Sequence, residues 1–380
     1  MRASVVITSY NYARFLPSAI ASAIEQTYPD TEVIVVDDGS KDDSRSIIES
    51  FGEGVRAHFQ ANRGQGGAFN AGFALSEGEL VLFLDSDDML LPSAAACAVE
   101  AADDPAVSQV LWPMPDIDAR GTRTGELTPA SPLATGDMLE QLVSEGPLQW
   151  SSPPTSGNAW TRSFLAEVLP MPEDEFRTNP DAYLTGLAPL YGELRALGEP
   201  QSLYRRHGAN HGALGFDGGL RDDAEVWARV GRIAADHAKR LGIEVDPQRW
   251  QERGWAFRIQ TAVRELDAAV GHESPFVLID GCELALERSS GRLVIPFLER
   301  EGEFWGLPED DVHAIVELDR LRSEGARFVV LAWPAFWWAE TYAGFLHHLR
   351  KGFQCVLEND RLVIFDLRAR DEGGKAAGET

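Results

Sequence analysis

Three apolar runs near the start of this chain, each ending abruptly in hydroxyls or carboxylates, constrain its fold more than any other feature. They are SVVIT (4–8), EVIVVDD (32–38) and ELVLFLDSDD (79–88). Short runs rich in Val, Ile and Leu, without polar alternation, suit buried strands. Between the first two, Phe15, Leu16, Ala19, Ile20, Ala23 and Ile24 recur at helical spacing. Ser40 followed by Asp43 reads as a capping signal for a helix carrying Ile47, Ile48 and Phe51. Ala68 to Ser76 reads as a helix after a glycine-rich turn. Strands alternating with helices predict a parallel arrangement with right-handed crossovers. Such sheets bind ligands at the carboxyl ends of their strands. That rule sends Thr8, Ser9, Tyr10, Asp37, Asp38, Asp85, Ser86, Asp87 and Asp88 to one edge.

Beyond the third run the pattern loosens. Residues 105–175 are rich in Pro, Gly and Ser, with VLWPM (110–114) as a further strand, and predict a loop-heavy acceptor side. A helix follows Asp181, then a strand near Arg195 to Tyr204, then a helical stretch over 221–268 in which Val226, Trp227, Val230, Ile233 and Ala234 share a face. A second α/β pattern comes next: FVLID (276–280), a helix around Val312 to Leu321, FVVLAW (328–333), a helix around Tyr342 to Leu349, and the hairpin-like CVLENDRLVIFDL (355–367). The expected division is an α/β domain over 1–215, a helical connecting segment over 216–268, a small α/β module over 269–368, and a disordered polar tail over 369–380.

Composition narrows the partners. At roughly 100–200 residues per domain, a chain of 380 residues holds two or three domains. The formal charge of −26 repels nucleic acid and anionic lipid. A nucleotide diphosphate would then need a local positive charge, and a divalent cation on carboxylates supplies one. Cys97, Cys282 and Cys355 are few, odd in number and far apart, which argues against a disulfide framework or zinc site and for a reducing cytoplasm. The N-terminal apolar run is too short for a signal-peptide core. The stretch Phe328 to Ala339 is broken by Pro334 and too short to span a bilayer. A soluble protein is expected, with peripheral contact to a membrane-bound acceptor and oligomer formation left open.

Clustered carboxylates repel one another unless a cation sits among them. Taken singly, VDDGS is equally well explained by turn and cap roles; three polar clusters in order, each at a strand end, are not. The residues VVITSYNYARFLPSAIASAIEQTYPDTEVIVVDDGSKD and ANRGQGGAFNAGFALSEGELVLFLDSDD together resemble family 2 glycosyltransferases of the GT-A fold, over roughly residues 1–215. The resemblance implies a nucleotide-binding mixed sheet flanked by helices, here followed by the helical segment and the small α/β module. It implies that Thr8 and Tyr10 line the base pocket, that Asp38 hydrogen-bonds the base, and that Asp85 binds ribose or donor sugar. Asp87 would ligate Mn²⁺ or Mg²⁺, with Asp88 as a helper.

NRGQGGAFNAG (62–72) is not a dinucleotide fingerprint, because it does not follow the first strand and lacks the later acidic residue. In the family it resembles, this loop lies beside the nucleotide; Arg63 then reaches base or phosphate, or is simply solvated. In PTSGNAWTRSFLAEVLPMP (154–172), Asn158 and Trp160 would contact sugar, with a core role for Trp160 equally open. Asp181 takes the family's general-base position, although Pro180 stands where many members carry Glu, and Asp174 is the nearest rival. In YRRHGANH (204–211), Arg205 would neutralise phosphate and His207 would complete the metal shell or cap the diphosphate.

The expected function is therefore inverting, metal-assisted transfer of a sugar from a nucleotide diphosphate sugar, UDP by default, to a carbohydrate or other hydroxyl acceptor. The alternatives are a sugar-phosphate nucleotidyltransferase and a non-catalytic nucleotide-sugar binding protein. The first typically needs a glycine-rich basic signature near the first strand, which TSYNYARF is not. In the C-terminal module WPAFWWAE (333–340) is open to either carbohydrate binding or a buried strand and turn. His347 and His348 are adjacent on a helix and make a poor metal pair. Acceptor selection, oligomer contacts and docking all remain open for this module.

Overall fold

A computed structural model describes residues 1–207, 220–271, 274–280, 293–300 and 303–368. The chain divides into two units, 1–254 and 255–380. The expected disordered tail over 369–380 lies outside the described residues.

The first unit opens as β1 (Ala3–Ser9), α1 (Leu16–Ile24), β2 (Thr31–Asp37), α2 (Ser44–Ser50), β3 (Arg56–Phe59), α3 (Gly64–Leu75) and β4 (Leu80–Asp85). The apolar runs are strands because both of their faces are covered. Val6, Ile34, Val36, Val81 and Phe83 enter one core, where Phe83 stacks on Phe69 of α3 at 3.9 Å between ring centroids. Val5, Ile7, Val35, Leu82 and Leu84 point the other way, into a core shared with α1. Alternation of side chains across a strand then demands apolar residues at successive positions. Each such Val, Leu or Ile, fully buried, contributes about 1.5–3 kcal/mol.

The unit continues through β5 (Met89–Leu90), α4 (Ala94–Ala101), β6 (Val107–Leu111), β7 (Met114–Ile117), β8 (Arg123–Thr128), α5 (Leu139–Glu145), β9 (Asn158–Thr161), α6 (Arg162–Val168), α7 (Pro180–Leu187), β10 (Glu193–Ala196) and β11 (Ser202–Arg205). A seven-stranded sheet runs in the order β10-β6-β9-β4-β1-β2-β3. Its β1, β2, β3 and β4 are parallel, while β9 is antiparallel to both β4 and β6, so the sheet is mixed, as expected. A second sheet runs in the order β5-β11-β7-β8.

Two sequence expectations are refined here. VLWPM is not one strand: the chain breaks at Trp112 and Pro113 and passes from the large sheet to the small one, and Trp112 donates its indole N–H to Ser202 Oγ at 2.8 Å. The strand expected near 195–204 is likewise two strands, β10 and β11, in different sheets. Ser40 does not cap α2. The helix begins at Ser44, whose N–H is taken by Asp42 at 3.0 Å, and Ser40 Oγ instead accepts from the Asn11 N–H.

Two further helices, α8 (Leu220–Arg240) and α9 (Pro247–Arg253), close the first unit. Val230 of α8 packs so tightly on Gly186 of α7 that a Cβ there would lie 2.3 Å from its methyl. Arg229 donates to the Glu175 carbonyl and Arg232 pairs with the Glu175 carboxylate. Helix α8 therefore holds both α7 and the segment before it. Its far end is pinned by His237, whose Nδ1 lies 2.7 Å from the Tyr191 hydroxyl. Burial, with help from nearby Arg240 and against the opposing charge of Asp236, pushes this imidazole down to about 4.

The sign of the pH effect follows. A histidine depressed in the folded state stabilises fully above its ordinary value near 6.5, and that stability is lost as pH falls toward 4. Between pH 7.5 and pH 4.5 the stability advantage of wild type over His237→Gln should shrink by about 1–2 kcal/mol, discounted for the part of the ring that water still screens. Urea unfolding at the two pH values measures it. A pH-independent difference would mean that the ring is not held neutral.

The second unit contains α10 (Trp255–Val270) and a five-stranded sheet. The sheet uses β12 (Phe276–Ile279), β13 (Val294–Pro296), β16 (Phe328–Ala332), β17 (Gln354–Glu358) and β18 (Leu362–Asp366), and β14 (Glu299–Arg300) pairs separately with β15 (Glu303–Phe304). In WPAFWWAE the chain forms a short turn and then a helix over Trp338–Thr341 rather than a strand. Trp338 is buried against Phe297, Tyr342 and Phe345, whereas Trp337 is partly exposed. Among the described residues no helix is long and apolar enough to cross a membrane.

Candidate active site

The parallel register puts Thr8 beside both Asp85 and Val36, and Ser9 beside Asp37. Strands β1, β2 and β4 thus end at one level, and their polar tails open into a cavity of about 350 Å³. Thr8, Tyr10, Asp38, Asp85, Asp87 and Asp181 all line it. Residues far apart in the chain are brought together because three strands stop in register and α7 starts opposite them.

The two ends of the cavity differ. At one end, Asp38 is almost saturated: its Oδ1 accepts from the Arg63 N–H at 2.8 Å and from Gln60 at 2.7 Å, and its Oδ2 from the Gly64 N–H at 2.8 Å. This carboxylate caps the start of α3, a favourable place for negative charge. Only glycine suits position 64. It has φ +83°, and a Cβ there would meet the Arg177 backbone at 2.6 Å. Gly66 likewise admits the Phe176 carbonyl, 2.4 Å from its would-be Cβ. The glycine-rich loop is therefore built for backbone approach to 176–177.

At the other end the carboxylates crowd. Asp85 accepts from Gln65 at 2.7 Å, yet its carboxyl is raised well above the usual range, by burial first and then by the charges of Asp87 and Asp181. Asp88 is raised in the same way by burial and by Asp87 and Asp85, although the Arg205 N–H donates to its Oδ1 at 2.8 Å. His207 Nε2 lies 2.9 Å from Asp87 Oδ2, and its ring packs on Phe15 at 4.7 Å between centroids. An oxygen-and-imidazole pair next to mutually repelling buried carboxylates fits a hard divalent cation. Among the described residues no three His, Cys, Asp or Glu side chains form a closed cage. A cation on Asp87 and His207 would keep positions open for oxygens of a ligand.

Asp181 stands in the first turn of α7, directly after Pro180, which suits that turn because its missing N–H has no partner to lose. Asn179 before it has φ +57°, a left-handed conformation that a proline neighbour disfavours further. Asn179 and Asp181 both line the cavity. Burial raises Asp181 above the usual carboxylate range, against the lowering effect of backbone N–H groups. Asp174 is exposed and does not line the cavity.

Several residues singled out in the sequence stand back from the cavity. Asn158 is fully buried, accepting from Gln109 at 2.7 Å and donating to the Pro154 carbonyl at 2.8 Å. Trp160 is core, packed on Phe164. Arg63 is turned outward onto Glu173, with Nε donating at 2.7 Å. Arg205 is buried and clamps the DSDD turn, its Nε donating to the Asp87 carbonyl at 2.6 Å. Conversely, sequence reasoning passed over Tyr12, Asn62, Gln65, Thr155 and Arg177, all of which line the cavity. Gln65 carried a readable signal, a lone amide among glycines at a helix start.

Comparison with known proteins adds an independent line. Residues 4–146 match the profile of glycosyl transferase family 2. A Nostoc sp. protein described only as an uncharacterized glycosyltransferase is 38% identical over 215 residues, covering 56% of this chain and 66% of that protein. Chondroitin synthase of Escherichia coli is 36% identical over 122 residues, 31% of this chain but 18% of its own length. The chain thus spans slightly under two thirds of the first relative and much less of the second. The crystal structure of S. aureus TarS is similar in fold, with a TM-score of 0.50 at 20% identity over 68% of this chain and 43% of that one.

Proposed function

We propose that the protein transfers a sugar from a nucleotide diphosphate sugar, UDP-linked by default, to an acceptor hydroxyl with inversion at the anomeric carbon, a reading supported by the match of residues 4–146 to glycosyl transferase family 2. The observation that carries this reading is one cavity lined by Asp85, Asp87 and Asp181 together with Thr8, Tyr10 and Asp38. Asp181 is the general base. It takes the proton of the acceptor hydroxyl as that oxygen attacks the anomeric carbon. The bond from that carbon to the diphosphate oxygen breaks, and the nucleoside diphosphate leaves with the electron pair. A single base, with no second carboxylate assigned as nucleophile, favours one displacement and inversion, by the logic of one-step glycoside hydrolysis.

Asp87 and His207 would hold a divalent cation, Mn²⁺ or Mg²⁺, which when bound supplies positive charge to the departing diphosphate. Asp85 is assigned to ribose or donor sugar. A cytoplasmic site of action accords with the free thiols of Cys97 and Cys355.

Ligands that bind only the native state raise its melting temperature. UDP and Mn²⁺ together should raise it by several degrees, on the order of the shift that ~1–2 kcal/mol produces, and more than either alone. With donor and acceptor present, nucleoside diphosphate should appear. Consumption of nucleoside triphosphate with release of pyrophosphate would instead identify a nucleotidyltransferase, and nucleotide binding without turnover on any acceptor would leave a binding protein.

A further inference from the structure

We propose that Arg177, anchored on Asn62, reads the nucleobase of the donor and selects a base with a carbonyl oxygen on its outer edge, uracil or guanine, over cytosine and adenine. The inference rests on the reading of this cavity as a nucleotide-sugar site and names the base it takes.

Arg177 is the one cationic side chain among the described residues that line the cavity. Its place is set by backbone contacts. The Arg177 carbonyl accepts from the Gln65 N–H at 2.8 Å, and its Cα lies against Gly64. Its Nη2 donates to Asn62 Oδ1 at 2.5 Å. Asn62 adjoins Arg63 and Gly64, whose N–H groups are both bonded to Asp38. The guanidinium therefore belongs to the Asp38 end. On the proposed roles of Asp87 and Asp181, which line the same cavity, the diphosphate and the anomeric carbon sit at the acidic end.

Asp38 alone is a poor reader of the base. Three N–H donors already occupy its oxygens, leaving little capacity for a base imide. A guanidinium is donor-only and planar, which matches carbonyl and ring-nitrogen acceptors; it is the usual partner of guanine O6 and N7. An amino group at the same edge, as in cytosine or adenine, sets donor against donor and leaves both unpaired. Arg177 stands four residues before Asp181, with Asn179 between them in a left-handed conformation at φ +57°.

The test is calorimetric titration of the full chain with UDP, GDP, CDP and ADP in Mn²⁺, for wild type, Arg177→Ala, Arg177→Lys and Asn62→Ala. Wild type should bind UDP or GDP at least ~10-fold more tightly than CDP and ADP. Arg177→Ala should cost the preferred nucleotide about 10–100-fold and the others much less, flattening the series. Arg177→Lys keeps the charge but loses the fork, and should flatten it too. Asn62→Ala should move in the same direction by a smaller factor. If Arg177→Ala weakens all four nucleotides alike while Arg177→Lys restores them, the residue is a phosphate contact and the inference is wrong. A wild type that prefers CDP or ADP overturns it as well. If wild type binds none of the four, the reading of the cavity itself fails, which the other outcomes leave intact.

Discussion

Asp181→Asn should lower turnover about 10²–10⁴-fold, the usual cost of losing an acid–base step, while nucleotide and metal affinity stay within about threefold of wild type. The substitution keeps the shape of the side chain and its position in the first turn of α7. What it removes is the capacity to take a proton, which matters only when an acceptor hydroxyl must be deprotonated. The pH profile gives a second readout. Burial raises Asp181 above the usual carboxylate range, and a base works only when ionised. Wild-type turnover should therefore rise with pH through that raised value and fall away below it. The residual activity of Asp181→Asn should lack this limb. Asp174→Asn is the matched control: that side chain is exposed and outside the cavity, so its loss should be mild. Normal turnover in Asp181→Asn with loss in Asp174→Asn would reverse the assignment. Full activity in both would place the base elsewhere.

The parts of this site that could be read from the sequence are those that local patterning controls. Apolar runs that stop at polar clusters define β1, β2 and β4, and the rule that ligands sit at strand ends then gathers Thr8, Asp38, Asp85 and Asp87. Asp181 was singled out only through the family resemblance, and the structure places it in the first turn of α7, lining the cavity. The residues that were misread depend on which distant segment approaches. Asn158 has the chemistry of a sugar ligand, but the chain turn at Pro153–Thr155 and Gln109 of β6 consume its amide. Arg205 has the charge for a phosphate, but it is spent on the backbone of the DSDD turn. Ser40 has the right spacing for a cap, yet the Asn11 N–H claims it first. Arg177 was passed over for the opposite reason. Nothing near it in sequence shows that Gly64 and Gly66 leave room for its backbone, and only that approach brings it to the cavity. The same holds for α8. Its apolar stripe was readable, but not that Val230 would back α7 through the gap left by Gly186.

Removal of the divalent cation should abolish transfer, and Asp87→Ala should do nearly the same even with Mn²⁺ restored. A Lewis acid on a departing diphosphate is worth several kcal/mol, so a loss on the order of 10³-fold or more is expected. The crowding at the acidic end explains why the effect should be this large. Asp85 and Asp88 are held above the usual carboxylate range by burial and by neighbouring carboxylates, so positive charge placed among them is favoured. A cation held by Asp87 and His207 would offset the repulsion among these carboxylates and would supply positive charge to a bound diphosphate. Metal and nucleotide should therefore bind with positive coupling: each should raise the affinity for the other by the same factor. In Asp87→Ala both affinities and the coupling should fall together, with the fold kept, because the Asp87 contact used by Arg205 is the backbone carbonyl, which alanine retains. His207→Ala should move the same quantities in the same direction by a smaller factor, since Asp87 still offers its carboxylate. The measurement is calorimetric titration of nucleoside diphosphate at several Mn²⁺ concentrations, with turnover recorded in parallel. Unchanged turnover in excess chelator would sink the metal assignment. Turnover lost in Asp87→Ala with coupling intact would show that Asp87 serves the donor directly and that the cation is held elsewhere.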